Sequence, residues 1–277
     1  MARVAVFDSG LGGVSVLAAI RDALPPATRY SYCADGAFFP YGPRSEAEIE
    51  ARVRAVIHAL LRHETDRPDV VVIACNTAST AALAAVRADH PQMPFVGVVP
   101  AIKPAASLSK SRVIGLLATP GTVRRAYSDQ LIRQFAADCV VVRHGAQKLA
   151  DLAEQVVARG GVQQAADLRP AVEAEIAPLF TDHRLDTVVL GCTHYPLVRH
   201  WLSEAAPWPV TWLDSGEAVA RQVLRVLPAD SLTRPEQGGS HSWNTAASVG
   251  FTAAMMAMGL GKPHVLPVQP ALTGHGG

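Results

Sequence analysis

Two cysteines sit in matching settings. Val70-Val71-Val72-Ile73-Ala74 runs into Cys75-Asn76-Thr77, and Thr187-Val188-Val189-Leu190-Gly191 runs into Cys192-Thr193-His194. Each thiol follows a short apolar run and precedes a hydroxyl-bearing turn. A lone cysteine in an apolar strand is usually core material, but these two stand where a strand stops and a helix is about to start. There the helix macrodipole and free amides favour a thiolate. Two thiols flanking one carbon atom would equip a two-base enzyme, which takes a proton from one face of a substrate and returns one to the other. Cys33 and Cys139 lack this setting.

Other residues add to the chemistry. Asp8-Ser9-Gly10-Leu11-Gly12-Gly13 follows an apolar run. It has neither the G-x-G-x-x-G order nor the Lys-Ser/Thr of a phosphate loop. A carboxylate at Asp8 suits a substrate ammonium or an acid/base role, and Ser9 with the glycine amides suits a carboxylate. His194, two residues past Cys192, could orient that thiol or accept its proton, or only cap a helix. Asn76, Thr77 and Thr193 could donate to a carboxylate, and Thr119 and Thr122 lie in an equivalent turn. Any one of these residues taken alone is more often a cap. Tyr41-Gly42, in a glycine-and-proline loop, reads as a pocket wall or a turn. Glu154 falls on a predicted helix, where a solvated surface group is the default.

The elements that must hold these residues are those of an α/β fold. Short β-rich runs alternate with longer helical patterns, which points to mainly parallel sheets. Strands are expected near 3–7, 28–33, 70–74, 95–99, 113–117, 139–142, 187–190 and 210–213. Helices are expected over 14–24, from Ser45 with Glu48 as its capping-box partner, and over 78–89, 123–135, 147–158, 165–180, 197–205 and up to about 226. The two halves echo each other, most clearly in IACNTAS and VLGCTHYP. This places a first domain at 1–98, completed by 210–277, and a second at 99–209. Asp8, Cys75, Thr119 and Cys192 all fall at or just past strand ends, where parallel sheets bind ligands. Two domains with those ends facing each other would make a shared cleft. Residues 228–241 read as a loop, 249–258 as an interface or, by default, a buried helix, and 266–277 as a frayed tail.

Composition narrows the class. The chain has 277 residues, 49% of them hydrophobic, with 25 Lys plus Arg against 24 Asp plus Glu and a net charge of +1. Such a chain can bury a core. It lacks the basic stripe of a nucleic-acid binder, and no apolar run reaches the roughly 18 residues that span a membrane. The first residues do not read as a signal peptide. Four widely spaced cysteines suit free thiols in a reducing cytoplasm better than a disulfide framework. No CxxC or HExxH pattern points to a metal.

Taken together, DSGLGG at 8–13, AD…FPYG at 34–42, ACNTAS at 74–79, ATPGT at 118–122 and GCTHYPL at 191–197 resemble the glutamate racemases of the aspartate/glutamate racemase superfamily. The resemblance covers about residues 3–220. It implies cofactor-independent interconversion of L- and D-glutamate, supplying D-glutamate for peptidoglycan, between two α/β domains. It places the catalytic cysteines at Cys75 and Cys192, with Asp8 and His194 assisting the thiols. Substrate contacts would fall on Asp8, Ser9, Tyr41, Gly42, Asn76, Thr77, Thr193 and, in the more variable segment LADLAE, Glu154. Family members often dimerise and some require a peptidoglycan precursor as activator, so a homodimer and such an activator are expectations. The stretch after Pro228 departs from the family pattern. A racemase for aspartate or hydantoins, a cysteine hydrolase using one thiol, and a two-domain binding module remain alternatives.

Overall fold

The computed structural model describes residues 1–64, 67–233 and 239–268. Two parallel sheets organise it. In the first, β1 (Arg3–Asp8), β2 (Arg29–Ala34), β3 (Val70–Ile73) and β4 (Phe95–Gly97) lie in the order β2-β1-β3-β4. In the second, β5 (Val113–Ala118), β6 (Val140–Gly145), β7 (Thr187–Leu190) and β8 (Thr211–Leu213) lie in the order β6-β5-β7-β8. The two orders are the same pattern, and every pairing is parallel. The echo between the halves is therefore a repeated topology. β3 and β7 are buried along their whole length, which is why they read as unbroken apolar runs rather than alternating ones.

Helices cover both faces of the first sheet. Val4 and Val6 point toward α1 (Val14–Ala23) and α10 (Gly216–Val226), packing with Leu17, Ile20, Val219 and Val223. Ala5 and Phe7 point the other way, toward α2 (Glu46–His63) and α3 (Asn76–Asp89). The expected capping box starts α2: the Glu48 N–H donates to Ser45 Oγ, and the Ser45 N–H donates to Glu48 Oε2 at 3.0 Å. The second sheet packs likewise. On one side lie α4 (Ile102–Leu108) and the helix that follows β5; on the other lie α7 (Leu149–Ala158), α8 (Arg169–Ile176) and α9 (Arg199–Ala205).

Three expected helices are interrupted. The stretch expected over 123–135 is α5 (Pro120–Arg124) followed by α6 (Ala126–Phe135). Thr119 caps α5 early, with Pro120 in its first turn, and extended Arg125 separates the pair. The stretch over 165–180 holds α8 between two single 3-10 turns, Ala166–Leu168 and Ala177–Leu179, with Pro170 in the first turn of α8 and Pro178 inside the second 3-10 turn. After Cys192 a 3-10 turn, Tyr195–Val198, precedes α9.

The domain boundary also shifts. β8 pairs with β7, so the chain re-enters the first domain after Leu213, not at residue 210. The late segment is more structured than its composition suggested. A 3-10 helix occupies Ala229–Thr233, β9 (His241–Asn244) adds to β2, and β10 (His264–Val265) adds to β9. α11 (Val249–Ala257) buries Phe251 and Met255 but exposes Val249 and Met256, so it is half buried rather than a core helix. Leu266 is core, not a frayed end; residues 269–277 of the expected tail lie outside the described residues. Among the described residues no helix is long and apolar enough to cross a membrane.

β9 is fastened by one carboxylate. The buried Glu64, at the end of α2, accepts from His241 Nε2 at 2.8 Å, from Trp243 Nε1 at 3.0 Å and from the Ser31 hydroxyl. Removing one partner of a buried charged network leaves the others unpaired. Glu64→Ala should therefore cost about 3 kcal/mol, read in urea denaturation followed by tryptophan fluorescence; a loss indistinguishable from zero would show that the carboxylate does not hold β9.

Candidate active site

Strand register places the site. Phe7 pairs with Ile73, and Leu117 pairs with Leu190. Two residues beyond each pair come Ser9 beside Cys75, and Thr119 beside Cys192. In each sheet this is the point where the order reverses between the first and third strands, the usual ligand crevice of such sheets. The two crevices face each other. Ser9, Tyr41, Gly42, Cys75, Asn76, Thr77, Thr119, Cys192 and His194 line one cavity of about 50 Å³.

Asp8, Thr122, Thr193 and Glu154 stand one layer back. The Thr193 hydroxyl donates to Asp8 Oδ2 at 2.9 Å, and the Gly10 N–H donates to Asp8 Oδ1 at 2.9 Å. Burial pushes the Asp8 carboxyl up, against the pull of nearby His194 and these hydrogen bonds. Glu154, expected at the substrate, instead sits behind His194: its Oε1 lies 2.7 Å from His194 Nε2 and also accepts from the Leu11 N–H. The glycine loop is thereby pinned to the second domain. A Cβ on Gly12 would collide with the His194 ring and the Thr193 hydroxyl, so only glycine permits this approach.

The thiols are buried. Cys75 is the N-cap of α3, and Ser9 Oγ lies 3.6 Å from its Sγ. The helix terminus does not make it acidic, contrary to the expectation from sequence. Burial first, and then the Asp8 charge, push the Cys75 thiol up to about 12, outweighing hydrogen bonds from the Ala78 amide and Ser9. Cys192 Sγ lies 3.7 Å from His194 Nδ1.

A hydroxyl cluster closes the cavity from both domains. Thr119 Oγ1 donates to Thr122 Oγ1 at 3.0 Å, and Thr77 Oγ1 lies 3.4 Å from Thr122 Oγ1. The Arg125 guanidinium reaches across to Thr80 Oγ1 at 3.2 Å. Asn76 Oδ1 is buried with no hydrogen-bond partner, an acceptor facing a site that can supply a donor. The Tyr41 hydroxyl turns away from the cavity and donates to Asp35 Oδ2 at 2.7 Å. Asp35 is fully buried, takes a two-point contact from Arg52 and accepts from Thr245.

Sequence reasoning missed Asp35, Phe39 and Asp151. Phe39 packs against His194 with ring centroids 5.5 Å apart and the planes tilted by 44°, and Asp151 lines the cavity. Asp151 was findable: it lies three residues before Glu154, on the same helical face. Asp35 and Phe39 fall inside the AD…FPYG stretch, but that stretch gave neither a role, and the partners of Asp35 come from Tyr41, Arg52 and Thr245.

Comparison with known proteins fits this geometry. The family model described as Asp/Glu/Hydantoin racemase matches residues 12–223. The glutamate racemase of Sinorhizobium medicae (strain WSM419) is 43% identical over 261 residues, covering 93% of this chain and 93% of its own. That of Rhizobium meliloti (strain 1021) is 44% identical, covering 93% and 91%. The crystal structure of Escherichia coli glutamate racemase in complex with L-glutamate and the activator UDP-MurNAc-Ala superposes with a TM-score of 0.86 at 36% identity, over 97% of this chain and 99% of that one. The chain belongs to the Asp/Glu/hydantoin racemase family. Within that family it groups with the glutamate racemases, isomerases that interconvert L- and D-glutamate.

The Gly12 contact makes a direct prediction. Gly12→Ala should part the cleft at His194 and lower kcat/KM about 100-fold, the scale of an ångström-size misplacement, while the far-UV circular dichroism stays unchanged. Unaltered kinetics would show that the close approach is dispensable.

Proposed function

We propose that this chain racemises glutamate by passing protons through two opposed thiols, without a cofactor. The observation that carries this reading is that Cys75 and Cys192 follow equivalent strands of two like sheets and line one cavity. An amino-acid Cα–H is a very weak acid, so its removal needs a base held close and donors that stabilise charge developing on the carboxylate. Inversion then needs an acid on the opposite face. One thiol acts as thiolate while its partner is protonated, and reversing the direction exchanges them. On the family's pattern Cys75 takes the proton from D-glutamate and Cys192 from L-glutamate.

The surrounding groups suit the substrate's charges. Unpaired Asn76 Oδ1 suits the ammonium, and the N-terminal amides of α3 suit the α-carboxylate. The Thr77, Thr119 and Thr122 hydroxyls offer donors to a second carboxylate. Asp8 and His194 tune the two thiols, and Tyr41 and Gly42 form a wall fixed through Asp35. The same reading makes the protein a cytoplasmic source of D-glutamate for peptidoglycan. A homodimer belongs to it too, as does a uridine-linked precursor activator of the kind bound to the Escherichia coli relative.

Incubation with L- or D-glutamate in D2O, without cofactor, tests the reaction. Deuterium should enter Cα as the opposite enantiomer forms, and aspartate and hydantoins should turn over far more slowly. A folded sample showing neither exchange nor inversion would sink the reading. Cys75→Ser and Cys192→Ser should each cut racemisation about 10²–10⁴-fold, the usual weight of a proton-transfer group; one fully active single variant would refute the two-base scheme.

A further inference from the structure

Glutamate brings two carboxylates into the cleft, yet the residues that line the cavity include no lysine and no arginine. Asp151, which lines it, is itself a carboxylate, and His194 is taken up by Cys192 and Glu154. The α-carboxylate has the N-terminal amides of α3. The second carboxylate is left with the neutral hydroxyls of Thr77, Thr119 and Thr122. Neutral donors hold an anion less strongly than charged ones, so a cation behind these hydroxyls would matter.

Arg125 brings one there. It is the extended residue between α5 and α6, and its backbone N–H donates to the Thr122 carbonyl at 3.4 Å. Its Nη1 crosses to the first domain, donating to Thr80 Oγ1 at 3.2 Å and to the Thr77 carbonyl at 3.4 Å. The Thr80 hydroxyl in turn donates to the Asn76 carbonyl at 3.1 Å. One side chain thus fastens the first turn of α3, which carries Asn76 and Thr77, to the chain three residues past Thr122. The Thr77 and Thr122 hydroxyls stand 3.4 Å apart across the same junction.

The guanidinium is half-buried, and among the described residues it has no ion-pair partner. Glu46 lies within range of its charge but beyond ion-pair distance, and Cys75 is the other ionisable group it faces. A cation drawn partly out of water is ordinarily paired with an anion. A carboxylate arriving at the threonine cluster would supply the missing charge.

We propose that Arg125 is a positioning residue for the substrate's side-chain carboxylate: gripping α3 from the second domain, it sets Thr77 against Thr119 and Thr122 and puts a positive charge behind them. This rests on the reading of the cavity as a glutamate site, and it names the group that makes the far end of that site prefer an anion. Arg125 does not line the cavity, so it acts through Thr77 and Thr80 and through its field. A unit charge some ångströms away, in a half-exposed setting, is worth about tenfold in affinity. The side-chain carboxylate keeps its charge from ground state to transition state, so the effect falls on KM rather than on kcat.

Steady-state racemisation in both directions by Arg125→Lys, Arg125→Gln and Arg125→Ala tests this, with far-UV circular dichroism as the check on folding. Lysine keeps the charge with fewer donors, and glutamine keeps a donor without the charge. Arg125→Gln and Arg125→Ala should raise KM for both enantiomers about tenfold. Their kcat should stay within about threefold of the wild type, and Arg125→Lys should hold KM within about threefold. Free glutamine, with an amide in place of the side-chain carboxylate, is the second probe. As a competitive inhibitor it should bind Arg125→Gln as well as it binds the wild type. Equal KM values for Arg125→Lys and Arg125→Gln would overturn the role of the charge. A fall in kcat at unchanged KM, or glutamine inhibition weakened in step with the rise in KM, would show a general closing of the cleft and overturn the assignment. Racemisation by the wild type is read separately: an active enzyme whose KM ignores Arg125 keeps the glutamate reading and loses only this inference.

Discussion

The seam between the Asp8 loop and the Cys192 turn holds the site together. Asp8 is fully buried at the end of β1, yet it is satisfied from both domains, by the Gly10 amide on one side and the Thr193 hydroxyl on the other. Ser15 donates to the Thr193 carbonyl, and Glu154 catches the Leu11 amide. A buried carboxylate without such partners would be costly. With them it ties two separately built sheets into one cleft. The thiols, the imidazole and the threonine cluster take their places relative to this seam.

Much of the site was legible because parallel sheets expose their chemistry at strand ends. An apolar run that stops at a cysteine, before a polar turn, marks one position without knowledge of any partner. Doing so twice, with Asp8 and Thr119 at corresponding ends, also indicated the facing domains. The chemical state of each residue was not legible. Cys75 does cap a helix, as its context suggested, but burial beside Asp8 outweighs the helix terminus. Glu154 reads as a surface glutamate or a substrate ligand until α7 is packed behind His194. Asp35 gathers partners from positions 41, 52 and 245, and no local pattern announces such a node.

The same physics explains the errors in the fold. β8 is three residues long with one of them buried, so nothing in its own sequence says which sheet it joins. Its pairing with β7 is a tertiary choice. β9, with its mixed histidine, serine and tryptophan, alternates half-exposed and buried positions between β2 and the two-residue edge strand β10. It owes its place to Glu64, which the linear pattern does not connect to it. Helical periodicity reads alike across extended Arg125 and across the changes between 3-10 and α pitch in 166–179, so each stretch looked like one helix.

The two sheets repeat one topology, but their strand ends do not repeat one environment: a serine meets one sulfur and a histidine meets the other. Mirror-image amino acids have equal free energies in water, so their equilibrium constant is one whatever the catalyst looks like. Unlike neighbours around the two thiols therefore cannot favour either product at equilibrium. Each gain in turnover in one direction must be matched by a proportionate loss of apparent affinity in that direction, so that the two kcat/KM values stay equal. The duplicated scaffold is free to diverge around each base, and the thermodynamics of the reaction conceals the divergence from any measurement made at equilibrium.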